Sequence, residues 1–216
     1  SDAVMFEMLF PKEASFVVKA YEEFTLQSAT SIAERFGRDL DHISRVSSVA
    51  LEIYDKMKKL HGYKLRERTL LQVSAILQDI GKYVNVKNHA LLSYNTITNL
   101  DIVGINDHER LIIATVCYYH NGNIPSMDSP IYNQLSQEDR VMVSKLAAIL
   151  QISNAINTSH SPKFEQVNVN MKNGKLNIYL TTLKNINLEK WAFIAKSKLF
   201  REVYGLNATI IKRGVL

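Results

Sequence analysis

With one cysteine, four prolines and one tryptophan in 216 residues, the chain lacks the raw material of several protein classes. A lone cysteine cannot close an internal disulfide, so the fold has to be held by its core. Cys117 itself lies in an apolar run and reads as a small buried hydrophobe in a reducing compartment, not as a reactive thiol. The eight glycines (Gly37, Gly62, Gly81, Gly104, Gly122, Gly174, Gly205 and Gly214) occur singly at element ends, which leaves no glycine-rich loop to cradle a phosphate. Apolar runs such as Leu111 to Tyr119 fall far short of the roughly 18 residues that a membrane span needs. Asp2, Glu7 and Glu13 stand where a secretory leader would be basic and then apolar. A soluble, cytoplasmic protein with no membrane partner is therefore expected. Internal repeats and low-complexity segments are also missing.

What is present is a balance of 46% hydrophobic and 22% charged residues, enough for one or two globular domains with a full core. Lysine and arginine outnumber aspartate and glutamate by 26 to 21, a net charge of +5 that favours polyanionic partners without identifying one. Two clusters dominate. Lys56, Lys58, Lys59, Lys64, Arg66 and Arg68 flank a turn between helices, and Lys184, Lys190, Lys196, Lys198 and Arg201 accompany a later helix. Ordinary solvated helix faces would look the same on spacing alone. Neither cluster is read as a base-stacking stripe, so nucleic acid is not the expected partner.

The first residues, Ser1 to Pro11, alternate apolar side chains (Val4, Phe6, Met8, Phe10) as a strand or extended arm would. Thr25 to Phe36 and Asp39 to Leu60 read as helices, the second with Ile43, Val46, Ala50, Ile53 and Met57 on one stripe and Gly62 as its stop. Arg66 to Ile80 is apolar nearly all round, as in a helix through the middle of a bundle, with Gly81 expected in a left-handed cap. Asn88 to Asn99 is a shorter helix. Asn106 and Glu109 form a capping-box pattern for a helix ending near His120, and Ser136 is an N-cap candidate for one running from Gln137 to about Asn157. After His160 the pattern changes. Gln166 to Met171 and Lys175 to Thr181 alternate around Asn173-Gly174, a strong hairpin signal, followed by a helix (Leu188 to Tyr204) and a strand (Asn207 to Lys212). The expected fold is a mainly α helical bundle followed by a small α+β (β-β-α-β) subdomain, with Ser161-Pro162 at the boundary.

Polar residues in the buried helices mark where chemistry could sit. His42 lies near the start of one helix, Asp79 at the end of the most apolar one, His120 at the end of a third and Asn154 inside the long fourth. Side chains from separate helices that converge in a bundle build metal and phosphate pockets. A cap or a satisfied core group would explain each residue taken singly.

In order along the chain stand His42, Gln78-Asp79 before Ile80-Gly81-Lys82, His89, Tyr119-His120-Asn121-Gly122, and Lys145 to Asn157 with Asn154 inside it. This series resembles the HD-domain pattern, and more closely the helical C-terminal region of the exopolyphosphatase and guanosine pentaphosphate phosphohydrolase (Ppx/GppA) family, whose doublet reads His-Asp-Ile-Gly. The likeness covers about residues 1 to 160 well and the tail loosely. It implies an HD-type bundle over residues 25–160, with residues 1–24 as an extended arm or the end of an upstream catalytic domain and 161–216 as the small subdomain. It also implies that the chain is part of a longer, dimeric enzyme that uses a divalent metal, magnesium, to hydrolyse polyphosphate or guanosine pentaphosphate in upstream actin-like domains.

The departures bear on the site. The resemblance makes His42, Gln78, Asp79, His89, His120 and Asn154 the metal positions, but Gln78 stands for the histidine of the doublet and Asn154 for the final aspartate. An amide in place of a carboxylate removes a charge and a hard ligand, and in place of an imidazole it removes a favoured nitrogen donor. The expectations are a degenerate site with no tightly bound cofactor, no catalytic residue in this region and no hydrolysis by the chain alone. Three functions stay in play: an accessory polyphosphate-binding and interface region, an autonomous divergent phosphohydrolase using His42, Asp79, His89 and His120, and a structural or regulatory module.

Overall fold

A computed structural model of the chain describes residues 11–159, 163–172 and 174–214. It opens on helix α1 (Pro11–Arg35), so residues 11–24 are helical and not the extended arm expected of them. The physical reason is legible afterwards: Pro11 occupies the first helical turn, where its missing N–H costs nothing, and Lys, Glu and Ala follow. The alternating stretch Ser1–Phe10 lies outside the described residues, as does the expected boundary at Ser161-Pro162.

Helix α2 (Leu40–Lys56) is capped by the Asp39 side chain, which accepts the His42 N–H, and it buries the expected stripe of Ile43, Val46, Val49, Ala50 and Ile53. It stops four residues short of Leu60. Met57 is fully buried and its N–H is shared between the Ile53 and Tyr54 carbonyls, which tightens the turn before the one-turn helix α3 (Lys58–His61). Gly62 then takes a left-handed φ of 74°.

Helix α4 (Leu65–Leu77) runs through the bundle and packs on α1, on α2 and on α6 (Asp107–Tyr119), with Leu70, Leu71, Val73, Ala75 and Leu77 all at or near zero exposure. Each large apolar side chain buried in this way contributes about 1.5–3 kcal/mol relative to exposure. A 3-10 turn (Ile80–Tyr83) follows, and α5 (His89–Ile97) packs against it and against α6. Gly81 is not left-handed, contrary to expectation. It is required for another reason: a Cβ there would collide with the His89 carbonyl oxygen and with the Ser93 nitrogen. Ser93 locks the same contact, accepting the Gly81 N–H at 2.9 Å and donating to the Gln78 carbonyl at 2.8 Å.

The α6 capping box of Asn106 and Glu109 forms as expected, and Ser136 caps α8 (Gln137–Ile156) after the one-turn helix α7 (Pro130–Asn133). The tail is a three-stranded sheet in the order β1 (Gln166–Lys172), β2 (Lys175–Thr181), β3 (Asn207–Arg213). β1 and β2 form the expected antiparallel hairpin with Lys172 opposite Lys175, while β2 and β3 are parallel. Parallel strands need a crossover, and α9 (Asn187–Lys196) with α10 (Lys198–Tyr204) supplies it, packing on α8. The helix expected from Leu188 to Tyr204 is broken at Ser197, whose hydroxyl donates to the Ile194 carbonyl at 3.0 Å and competes with the helical ladder. Among the described residues, no helix is long and apolar enough to cross a membrane.

Candidate metal centre

Three side chains from three elements converge beside the Gly81 turn. Asp79 precedes the 3-10 helix, His89 opens α5 and His120 caps the end of α6, and all three are buried. The Nε2 atoms of His89 and His120 are 3.3 Å apart and lie 3.5 and 3.2 Å from Asp79 Oδ1. On the far side of each ring, Nδ1 faces a backbone carbonyl: Val86 O at 2.8 Å for His89, and Cys117 O for His120. A carbonyl can only accept, so each Nδ1 carries a proton; each Nε2 then presents a lone pair to the Asp79 carboxylate in the neutral ring and an N–H to it in the charged one.

Two ammonium groups surround the carboxylate. Lys82, three residues on and thus on the same side of the 3-10 turn, donates to Asp79 Oδ2 at 2.7 Å. Lys196, at the end of α9, lies across Gly122 and interacts with the charges of Asp79 and Lys82, and burial pushes its ammonium pKa down. Burial opposes ionisation of Asp79, but His120 and Lys82 outweigh it and hold its carboxyl well below the usual carboxylate range. Burial likewise pushes His89 down. Arg38 donates to the Asp79 backbone oxygen at 3.3 Å and fixes the turn from α1's side.

Of the six positions expected to form a degenerate metal site, the structure brings Asp79, His89 and His120 together, with ligand atoms all within 4.8 Å of one another. His42 is buried in the first turn of α2 but is not a member of that group. Gln78 caps α4 with its Oε1 buried and without a hydrogen-bond partner among the described residues, and Asn154 is half-buried in α8. Lys82 and Lys196 were missed as parts of this site. The Asp79-to-Lys82 spacing could have shown the first, whereas only the packing of α9 on α8 reveals the second.

The basic clusters divide in the same way. Lys56, Lys58, Lys59, Lys64, Lys184, Lys190, Lys198 and Arg201 are exposed. Arg66 and Arg68 are half-buried and committed internally, Arg66 to Glu109, Glu22 and the Gly104 carbonyl, and Arg68 to Asp55. Arg66 is thus a structural tie between helices, while Arg68 pairs with Asp55 at the surface.

The mainly helical fold with a small α+β tail is as expected from the sequence, and a family comparison supports the resemblance. Residues 26–199 match the model of the Ppx/GppA phosphatase, domain III, a span that takes in all of the candidate centre and most of the tail. The chain belongs to the Ppx/GppA phosphatase family, as its domain III.

Proposed function

We propose that this domain is the accessory, polyanion-holding and interface region of an exopolyphosphatase-type phosphoanhydride hydrolase, with the bond-breaking groups in upstream domains of the same protein. The observation that carries this reading is the uncompensated charge at the α2 to α4 turn. Lys58, Lys59 and Lys64 are exposed within seven residues of one another and make no ion pair among the described residues. Lys56 reaches Glu52 only at 4.0 Å, an exposed pair worth little. Lys190 and Arg201 are likewise without an acidic partner among the described residues. A phosphate chain is a polyanion with condensed counterions, and each lysine that neutralises a phosphate releases some of them, so affinity falls with salt.

Labelled long-chain polyphosphate, titrated with the chain at several salt concentrations, tests this. Binding should weaken steeply as salt rises, polyphosphate should compete well against single-stranded DNA of equal charge, and the triple reversal Lys58→Glu, Lys59→Glu and Lys64→Glu should reduce affinity severalfold. Affinity that is flat with salt, or untouched by the reversals, would favour a purely structural role. Homodimerisation and polyphosphate rather than guanosine pentaphosphate as the ligand belong to the same proposal, and sedimentation and competition with the nucleotide test them.

A further inference from the structure

We infer that the outer face of α9, with Trp191 and Ile194 at its centre, is a docking surface for an anionic phospholipid bilayer, on which the domain lies without crossing it. The inference is independent of the polyphosphate reading and of any catalysis by the chain.

α9 breaks the usual division of a surface helix, which turns its apolar stripe inward and its charges outward. Ala192 and Phe193 are buried, but so is the helix's one acidic residue, Glu189, while Trp191 is 73% and Ile194 74% exposed. At about 100° per residue, these two side chains point roughly 150° away from the direction set by Glu189, Ala192 and Phe193. Leu188 flanks them on one side and Lys190 on the other, both exposed, and Leu183 in the link from β2 is exposed as well. The apolar face is therefore a ridge that projects from the domain.

Charge says what covers it. Residues 161–216 hold ten lysines and arginines against three glutamates and no aspartate, whereas the rest of the chain holds 16 against 18. The net positive charge thus sits in the segment that carries the ridge. Of the three glutamates, Glu189 is paired inside with Lys163 at 3.0 Å, and Glu202 lies 3.9 Å from Lys198. A partner for this face has to be negatively charged and has to receive a protruding indole and branched aliphatic chains. An anionic bilayer does both, since the boundary between its headgroups and acyl chains takes up Trp, Leu and Ile to a depth of about 5–10 Å. The stems of Lys190 and Lys198 can lie along the apolar layer while their ammonium groups stay among the headgroups. Nucleic acid fits less well, because bases stack on rings and the ridge has one ring among aliphatic side chains. A folded acidic protein would need a groove shaped to the ridge, and a bilayer needs none. Lying on a bilayer also needs no spanning segment, so the lack of one, which set the expectation of no membrane partner, leaves this contact open.

Trp191 is the sole tryptophan of the chain and reports on its own face. The full chain mixed with vesicles of phosphatidylglycerol and phosphatidylcholine, with and without bromine-labelled acyl chains, is the test. We expect cosedimentation, a blue shift of the Trp191 emission and its quenching by the brominated chains. All three should be absent with pure phosphatidylcholine and should fade as salt rises. Leu188→Asp combined with Ile194→Asp keeps the reporter and should abolish the quenching and weaken cosedimentation at least about tenfold. Lys190→Glu and Lys198→Glu should each weaken it at least about fivefold, the size expected for a lysine at an anionic surface. All four positions are exposed, so Tm without vesicles should be unchanged. No binding to the anionic vesicles at low salt, or cosedimentation without bromine quenching, would overturn the proposal. An emission already blue without vesicles and dependent on protein concentration would assign the ridge to a second copy, and quenching by single-stranded RNA but not by brominated lipid would assign it to base stacking. Either result would overturn the bilayer as its partner.

Discussion

The Arg66 guanidinium grips the Glu109 carboxylate with two parallel hydrogen bonds, Nε to Oε1 and Nη2 to Oε2, each 2.6 Å long. The fork ties α4 to the first turn of α6, where Glu109 is already the third residue of a capping box, and Nη1 reaches Glu22 on α1 at 3.1 Å. Three helices thus meet at one side chain. Desolvation works against both charges, yet the paired hydrogen bonds raise the Arg66 pKa and lower that of Glu109.

Arg66→Ala is therefore expected to destabilise the fold. Removing one partner of a fully buried pair costs about 3–5 kcal/mol. The Arg66 side chain keeps 31% of its exposure, so the loss should lie nearer 2 kcal/mol. For a domain of this size that lowers Tm by roughly 4–8 °C. Below the transition, polyphosphate affinity should match that of the unaltered chain. A loss of affinity as large as that of the lysine reversals, with Tm unchanged, would return Arg66 to the binding surface.

His61 predicts a pH dependence. Its Nε2–H donates to the Tyr54 carbonyl at 2.8 Å and its Nδ1 accepts the Tyr63 N–H at 3.0 Å, so the buried ring is bound as the neutral tautomer. Burial pushes its pKa down, with nearby Lys145 adding to the effect. The folded state then binds a proton less readily than the unfolded chain, whose histidine titrates at about 6.5. Stability should be full above that value and fall as pH drops from it towards the depressed folded pKa. Urea midpoints across this window should show the slope, and His61→Gln, which cannot titrate, should remove part of it. An identical slope in the variant would assign it to other groups.

Periodic signals carried most of the architecture. The α2 stripe, the all-round apolar α4, the Asn106 and Ser136 caps and the Asn173-Gly174 hairpin are local patterns, and local patterns survive packing. What failed was set by tertiary contact. Met57 interrupts a helix that periodicity would continue because its side chain is drawn into the core, whereas the break at Ser197 is local, a hydroxyl bond to its own helix. Arg66 looked like surface charge because Glu109 lies 43 residues away in sequence. The candidate centre was half legible: its three side chains stood among the six positions named, but which three share a point depends on how α5 and α6 cross beside the Gly81 turn.

That crossing makes Gly81→Ala informative. The added Cβ would meet backbone atoms of His89 and Ser93, which cannot swing aside as a flexible side chain could. Either α5 moves away from the turn or the turn opens. Both break the Ser93 bridge and carry His89 away from Asp79. A cost of at least about 1–3 kcal/mol is expected, the range for overpacking a tight interior. Unchanged stability would show that the close approach is not required.

Cys117 should be chemically silent in the native protein. It is fully buried on α6, and its Sγ–H donates to the Ser74 carbonyl at 3.4 Å. Burial pushes its thiol pKa well above the ordinary value, and the Asp79 carboxylate nearby adds to the rise. The thiolate is the reactive form, so both access and ionisation are denied to an attacking reagent. With an aromatic disulfide reagent, the folded chain should show almost no reaction over a time in which the denatured chain reacts to one thiol per molecule. Partial denaturant should restore reactivity in proportion to the open population, provided that closing outpaces attack by the reagent. Cys117→Ala removes one small buried atom and should cost only about 1 kcal/mol, leaving the backbone carbonyl that orients His120 in place. Prompt native reactivity would mean that α6 opens locally or that the thiol is not shielded by its burial.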